Sequence, residues 1–448
     1  MEKQIHMKKL LLIFVTATWL CTSCEETPVV PPRGEGNAAN HAKNYPADVA
    51  IKWINVQQRL LRTTPGFDPP VTMRSFAYSG LTMYESIVRG MPGYKSIASP
   101  LIGADINAVH KPHLIYWPAS ANAAMAFILK NLFATTSLAN MNTIDSLESA
   151  FHSQFQNQIP TQILSQSSEY GKKIAGHIFE WSKTDGGHEG YLKGTSDTYS
   201  PPEGDGLWIP TPPAFAKPAR PYWGDNRTFV PNSALTTLPS PPTPYSEDPE
   251  SDFYKMANEI YTISLSLSEE EIRIVRFWAD LPGQFATGGH YTNIATQLIE
   301  ENDLNLDQAA LIYAKHGIAL NEAAICVFKA KYTYNLLRPI SYIQNVFGYN
   351  SWSTVISTPA HPDYPAQHPA IGRASPVVLE SFFGKNYSFV DRTQENLYGP
   401  RSYDKLEDYA IEAAQSRVFG GIHYRPSTEA GLQQGKEVGE LVNGLKFK

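Results

Sequence analysis

Residues 331–339 read Lys331-Tyr332-Thr333-Tyr334-Asn335-Leu336-Leu337-Arg338-Pro339 and close an apolar stretch that begins near residue 306. Apolar side chains recur through 306–337 at helical spacing, which predicts one long helix. Pro339 disfavours helix at Arg338 and is expected to end the element there. Lys331 and Arg338 then lie on nearly the same helix face, roughly two turns or about 10 Å apart. Two cations at one helix end can hold one tetrahedral oxyanion between them. Taken alone the pair is weak evidence, because a Lys and an Arg on a solvated face are common.

Two further segments follow. His361-Pro362-Asp363-Tyr364-Pro365-Ala366-Gln367-His368-Pro369 is a tight, proline-rich turn leading into a helix. Backbone N–H groups at a helix start bind anions, and His368 stands beside them. In Ser416-Arg417-Val418-Phe419-Gly420-Gly421-Ile422-His423-Tyr424-Arg425, an amphipathic helix runs into two glycines and presents His423. Glycine permits close backbone approach. Each segment by itself reads equally well as a structural histidine in a turn or at a helix cap.

Outward from these segments the chain reads as helix. From 46 to 183, Val49, Trp53, Ile54, Leu60 and Leu61 open a 3.6-residue pattern, Asp68-Pro69 starts a second helix, and others are predicted at 119–135, 141–157 and 162–183. Residues 184–249 break the pattern, with thirteen prolines between 201 and 250. Proline removes backbone donors, so this is a long irregular excursion. It is too aromatic for a disordered linker, which predicts an ordered loop that shapes a site. Helix resumes over 250–448, where Ser268 and Glu271 form a capping box. Further helices are expected at 269–280, 289–302, 306–337, 369–382, 404–419 and 427–444, with 340–367 as loop. No strand of alternating pattern and no fixed-period repeat is found. The predicted class is all-α: an N-terminal helical layer, the excursion, and a C-terminal helical bundle.

The N-terminus reads differently. Lys8-Lys9, the apolar run Leu10 to Leu20 and Cys21-Thr22-Ser23-Cys24 resemble a bacterial lipoprotein signal over 1–23. The resemblance implies lipidation at Cys24, a flexible tether over 24–45, and an exported body held to the cell envelope, at the outer membrane or cell surface, through a lipid anchor alone. Only Cys24 and Cys326 would remain after cleavage, so no internal disulfide is expected. Charged residues make up 18% and net charge is −6, which excludes the basic excess of a nucleic-acid binder. His110 and His113 have no carboxylate at metal spacing, and no glycine-rich nucleotide loop is present.

Together, K-x6-R-P, P-x-x-H and S-R-x5-H, in that order and near helix ends, resemble the signature of the type 2 phosphatidic acid phosphatase and vanadium haloperoxidase superfamily. Phe277-Trp278-Ala279-Asp280, Gly289-His290-Tyr291 and Gly206-Leu207-Trp208 look like its bacterial haloperoxidase-like branch. The resemblance implies that Lys331, Arg338 and Arg417 bind the oxygens of vanadate or phosphate. It makes His423 the axial ligand of vanadium or the nucleophile toward phosphorus, and His368 the acid–base residue. Asp280 would steer Arg417, and His290 would line the pocket.

Two positions depart from the family pattern. Ala366 and Gln367 stand where Ser and Gly are usual; the Gln367 amide can replace the lost donor in part. Ser427 stands where an Asp usually holds the histidine, and Glu429 is a candidate to reach back in its place. If the two groups are simply missing, Ala366→Ser and Ser427→Asp are expected to help; if Gln367 and Glu429 have taken over their roles, both are expected to be neutral or harmful. Three functions fit: a haloperoxidase using peroxide and halide, a phosphomonoesterase working through a phosphohistidine at His423, and a non-catalytic surface binding lipoprotein. The sequence leaves the halide, the organic substrate and the oligomeric state open.

Overall fold

The computed structural model describes residues 40–98, 109–281 and 283–448. The signal 1–23, Cys24 and the tether up to residue 39 lie outside the described residues. The architecture is all-α. Thirteen helices of seven residues or more follow one another among the described residues: α1 (Asp48–Thr63), α2 (Pro69–Ile87), α3 (Trp117–Leu132), α4 (Leu138–Gln156), α5 (Thr161–Ser182), α6 (Asp252–Ser264), α7 (Glu269–Phe277), α8 (Thr287–Glu301), α9 (Leu306–Tyr334), α10 (Pro339–Asn345), α11 (Gln367–Phe383), α12 (Leu406–Phe419) and α13 (Arg425–Asn443).

α9 is the axis of the molecule. It is long and apolar enough to cross a membrane, yet 94% of its apolar window is buried inside the fold, which makes it a core helix. α2 lies along it at unusually close range. A Cβ on Gly80 would stand 2.4 Å from the Tyr313 carbonyl oxygen, and one on Gly317 would stand 2.5 Å from that of Phe76. Reciprocal glycines let the two backbones touch. On one side α2 packs on α3 and α3 on α5; on the other α9 packs on α11, which packs on α12 and α13. The second close contact uses Gly431, Gly435 and Gly439, one turn apart on α13 against α11; a Cβ on Gly435 would meet the Ala370 oxygen at 2.0 Å. This stripe seats the N-terminus of α11, with Gln367 and His368, against the start of α13.

The proline-rich excursion is ordered. Lacking backbone ladders, it surrenders its carbonyls to tyrosine hydroxyls: Tyr364 donates to Ser240 O at 2.8 Å, Tyr342 to Ser246 O at 2.7 Å, and Tyr332 to Ala219 O. Buried Glu322 of α9 accepts the Phe229 and Val230 N–H groups, each at 2.9 Å. Leu207 bridges antiparallel to Leu336, with Leu337 N–H donating to Gly206 O at 2.9 Å. The excursion therefore reaches the segment between α9 and α10.

Three local expectations are corrected. The helix expected over 306–337 stops at Tyr334, where Asn335 takes a left-handed φ of 49° and caps it. Asn tolerates that conformation, so the apolar pattern runs on through a real break. Pro339 does not end a helix but starts α10, as its first residue after Arg338. Lys331 thus lies in the last turn of α9 while Arg338 caps the start of α10, and the two do not share one helix face. A two-stranded antiparallel pair, β1 (Phe389–Asp391) and β2 (Arg401–Tyr403), is too short to show alternation.

Candidate active site

The three segments meet where α9, α11 and α12 end or begin. Lys331, in the last turn of α9, donates Nζ to Pro362 O at 2.7 Å and Asp363 O at 2.9 Å. Arg338 donates Nε to His361 O at 2.9 Å and Nη1 to Ile422 O at 2.7 Å. Its Nη1 also lies 3.0 Å from His423 Nε2, and its Nη2 lies 3.1 Å from His361 Nδ1. Arg417 donates Nη2 to Trp278 O at 2.7 Å and Nε to Ser416 Oγ at 2.9 Å. All three cations are buried. The turn to His423 needs Gly421, whose φ is +74°.

Around His423 the structure corrects the expected partner. Glu429 is exposed on α13 and does not reach back. The carboxylate is Asp363, fully buried, whose Oδ1 lies 2.9 Å from His423 Nδ1. That oxygen forms no well-angled hydrogen bond, so the attraction is chiefly electrostatic. Ser427, where the family has Asp, donates its hydroxyl to Asp363 Oδ2. The carboxylate beside His423 thus comes from the turn, and the serine holds it. With Asp363 beside Nδ1, that nitrogen is the one to carry hydrogen, leaving the Nε2 lone pair toward Arg338.

Ser427→Asp is accordingly expected to harm rather than help. It removes the donor from Asp363 Oδ2 and sets a second carboxylate against the first. A stability loss on the order of 1–3 kcal/mol follows from the orphaned acceptor alone. Urea unfolding at pH 7 and pH 4 checks it: the deficit should shrink in acid. A variant as stable as the parent at pH 7 would refute the account.

Burial dominates the electrostatics. It pushes Lys331 well below the ordinary lysine range, with Arg338 beside it adding to the effect. Arg338 and Arg417 are each pushed down to about 10 by burial. Burial and then the Arg338 charge hold His423 well below the usual histidine value. Asp363 is pushed up to about 6 by burial against the pull of Arg338 and Lys331. Lys331 and Arg338 thus share one carboxylate, Asp363, while Arg417 faces Asp280, which His290 already partners; the balance is an excess of positive charge that favours an anion. Gln367, the first residue of α11, is buried and its Nε2 has no hydrogen-bond partner. An orphaned donor and uncompensated cations are what a tetrahedral oxyanion would satisfy. Among the described residues no three His, Cys, Asp or Glu side chains could hold a metal ion together.

His368 stands at the second position of α11, with Nε2 3.0 Å from Thr287 Oγ and 3.7 Å from Asp280 Oδ2. Burial and then Arg417 push it down to about 4. Asp280 makes no hydrogen bond to Arg417, although its charge favours the Arg417 cation; its Oδ1 lies 2.8 Å from His290 Nδ1, and His290 Nε2 lies 2.9 Å from Asp391 Oδ2. The arginine is steered instead by the Trp278 carbonyl, two residues before Asp280. Both His290 ring nitrogens are taken up by carboxylates, so it backs the site rather than lining it. Sequence reasoning missed Asp363, His361, Thr287 and Asp391. Asp363 and His361 carried a signal, being polar residues inside the second segment; Asp391, 101 residues from His290, carried none.

The model of the VCPO second helical-bundle domain matches residues 311–446. A crystal structure of a bacterial vanadium-dependent iodoperoxidase is 31% identical with a TM-score of 0.80, covering 90% of this chain and 96% of that one. A holo-type bacterial vanadium-dependent chloroperoxidase is 15% identical with a TM-score of 0.66, covering 87% of this chain and 94% of the other. No curated protein matches.

Proposed function

The chain belongs to the vanadium haloperoxidase and acid phosphatase superfamily of enzymes, and from that premise we propose that it is a vanadate-dependent haloperoxidase that oxidises halide with hydrogen peroxide. The observation that carries this reading is the buried set Lys331, Arg338 and Arg417 around His423, in excess over Asp363 and beside the unpartnered Gln367 amide. His423 would hold the vanadium through Nε2, and the three cations with Gln367 would hold the oxygens. Bound there, vanadate supplies Lewis-acid activation of peroxide toward halide.

The chain's own residues set the conditions. Asp363 keeps hydrogen on His423 Nδ1, so that Nε2 is the free donor. The cations stabilise negative charge in a site closed to bulk water, where such stabilisation is strongest. His368, neutral at neutral pH, is placed to accept a proton and return it at Nδ1, because Nε2 is turned to Thr287 and Asp280. Arg338 spends its N–H groups within the protein, so one of them, at His423, turns to the anion on binding.

The test is to titrate the purified protein with vanadate, then assay iodide and bromide oxidation and phosphate-ester hydrolysis side by side. Halide oxidation that depends on vanadate supports the proposal. Ester hydrolysis inhibited by vanadate would instead assign a phosphatase, since the same cations accept phosphate. Vanadate binding without turnover would assign a binding protein.

Gln367→Ala separates a ligand-binding role from a structural one. Its amide has no protein partner, so thermal stability should stay level or rise slightly. Vanadate affinity should fall about tenfold or more, the worth of one charge-assisted hydrogen bond. Unchanged affinity would remove Gln367 from the site. Export and lipid anchoring at Cys24 belong to the same proposal; Cys24→Ala should abolish labelling with a palmitate analogue in the expressing cell.

A further inference from the structure

We propose that Asp280 is the positioning carboxylate of His368, and that His290, clamped between Asp280 and Asp391, keeps Asp280 charged and aimed at that task. The inference rests on reading His368 as the acid–base group.

The geometry is specific. His290 sits between two fully buried carboxylates at 2.8 and 2.9 Å. Its ring is stacked on Trp278, centroids 4.6 Å apart and planes 14° from parallel, with Phe277 edge-on at 5.3 Å. Trp278 is fixed in turn by its Nε1 donating to Glu412 at 2.8 Å. Asp391 is also satisfied by Thr393 N–H at 2.8 Å. Both ring nitrogens therefore face carboxylate oxygens, an arrangement that an imidazolium satisfies and a neutral ring does not. Asp280 holds a left-handed φ of 46°, a conformation that Asp tolerates better than most residues.

One oxygen of this set is left over. Asp280 Oδ2 is buried, has no hydrogen-bond partner, and lies 3.7 Å from His368 Nε2. At present Thr287 Oγ holds that nitrogen at 3.0 Å. A small ring rotation would bring a protonated Nε2 onto Asp280. The clamp explains why the carboxylate is available: without His290, two buried aspartates would repel and one would protonate. The other charges facing His368 are Arg417, which opposes its protonation, and His290 itself, which does so more weakly. His361 senses His368 in the same way from the turn. Asp280 is the acidic group that most favours it.

The test follows the histidine ring signals by nitrogen-resolved NMR titration of the vanadate-free protein from pH 2.5 to 9, a range that takes in the low His368 midpoint. In the parent, His290 is expected to remain imidazolium from pH 5 to 9. In Asp280→Asn the His368 midpoint should fall by about one unit, a tenfold loss of proton affinity, as for a charge removed from within a few ångströms. In Asp391→Asn, His290 should titrate inside the measured range. A parent His290 that titrates near pH 6–7 overturns the clamp without any variant, and so does a His368 midpoint unmoved in folded Asp280→Asn. The acid limb of the halide-oxidation pH profile should shift with the His368 midpoint. If the midpoints move as stated but vanadate-loaded protein oxidises no halide, the functional reading fails and the clamp stands. If activity is present and the midpoints do not move, the clamp fails and the function stands.

Discussion

His423→Ala is expected to retain no vanadate at concentrations that saturate the parent, and to lose between roughly 10³ and 10⁶ in halide oxidation. The lower figure is what removing a stabilising donor takes from other enzymes; the upper is what removing the directly reacting group takes. The ring is only 2% exposed and lies 3.0 Å from Arg338 and 2.9 Å from Asp363. Truncating it removes the Nε2 lone pair proposed to hold vanadium and the counter-group that Asp363 faces. Asp363 then falls to Arg338, whose Nη1 is already within 3.8 Å, and the guanidinium is drawn away from the anion position. The fold should survive, because Arg338 keeps its bonds to His361 O and Ile422 O. Circular dichroism checks the fold, and iodide oxidation measured across a vanadate titration checks the function. More than a tenth of parental activity in a folded His423→Ala protein would place the reaction elsewhere.

How far the sequence disclosed this site depends on the kind of interaction. The motif resemblance was enough to single out Lys331, Arg338, His368, Arg417 and His423 as residues that helix ends bring together, because the fold gathers those chain segments in one place. Local rules also sufficed for the Ser268–Glu271 capping box, which forms with both of its reciprocal bonds. They failed at Asn335, where a left-handed cap breaks a helix without breaking its apolar pattern. They failed for carboxylate partners as a class. Glu429 was a candidate by nearness in sequence, yet one helix turn carries it to solvent, while Asp363 reaches His423 across the α11–α13 contact. Periodicity reports that a side chain is buried, not which side chain it meets. Asp280 and His290 were visible as polar residues near the site; their mutual pairing, with Asp391 from a strand of three residues, is tertiary and left no local trace.

That pairing carries the largest expected effect on stability. His290→Gln leaves Asp280 and Asp391 buried without their shared counter-charge, and breaking a buried ion pair from one side takes about 3–5 kcal/mol. The pH dependence distinguishes this from a loss of packing. Burial alone would lower the His290 value, but Asp280 and Asp391 outweigh it and hold the ring up at about 10. A group raised on folding contributes stability that is fully present below its unfolded value, roughly 6.5, and is lost as pH climbs through the folded one. Asp280 runs the other way: although burial opposes it, His290 holds it down to about 2, so its contribution is present above roughly 3.9 and is lost as pH falls toward 2. The difference between parent and His290→Gln should therefore be greatest between about pH 5 and 7. It should narrow in acid, where the variant's carboxylates accept protons, and narrow again toward pH 10, where the parent ring loses its own. Urea unfolding of both proteins at pH 4, 6.5 and 9.5 measures this. A deficit of similar size at all three would mean that His290 acts through packing against Trp278 and not through charge.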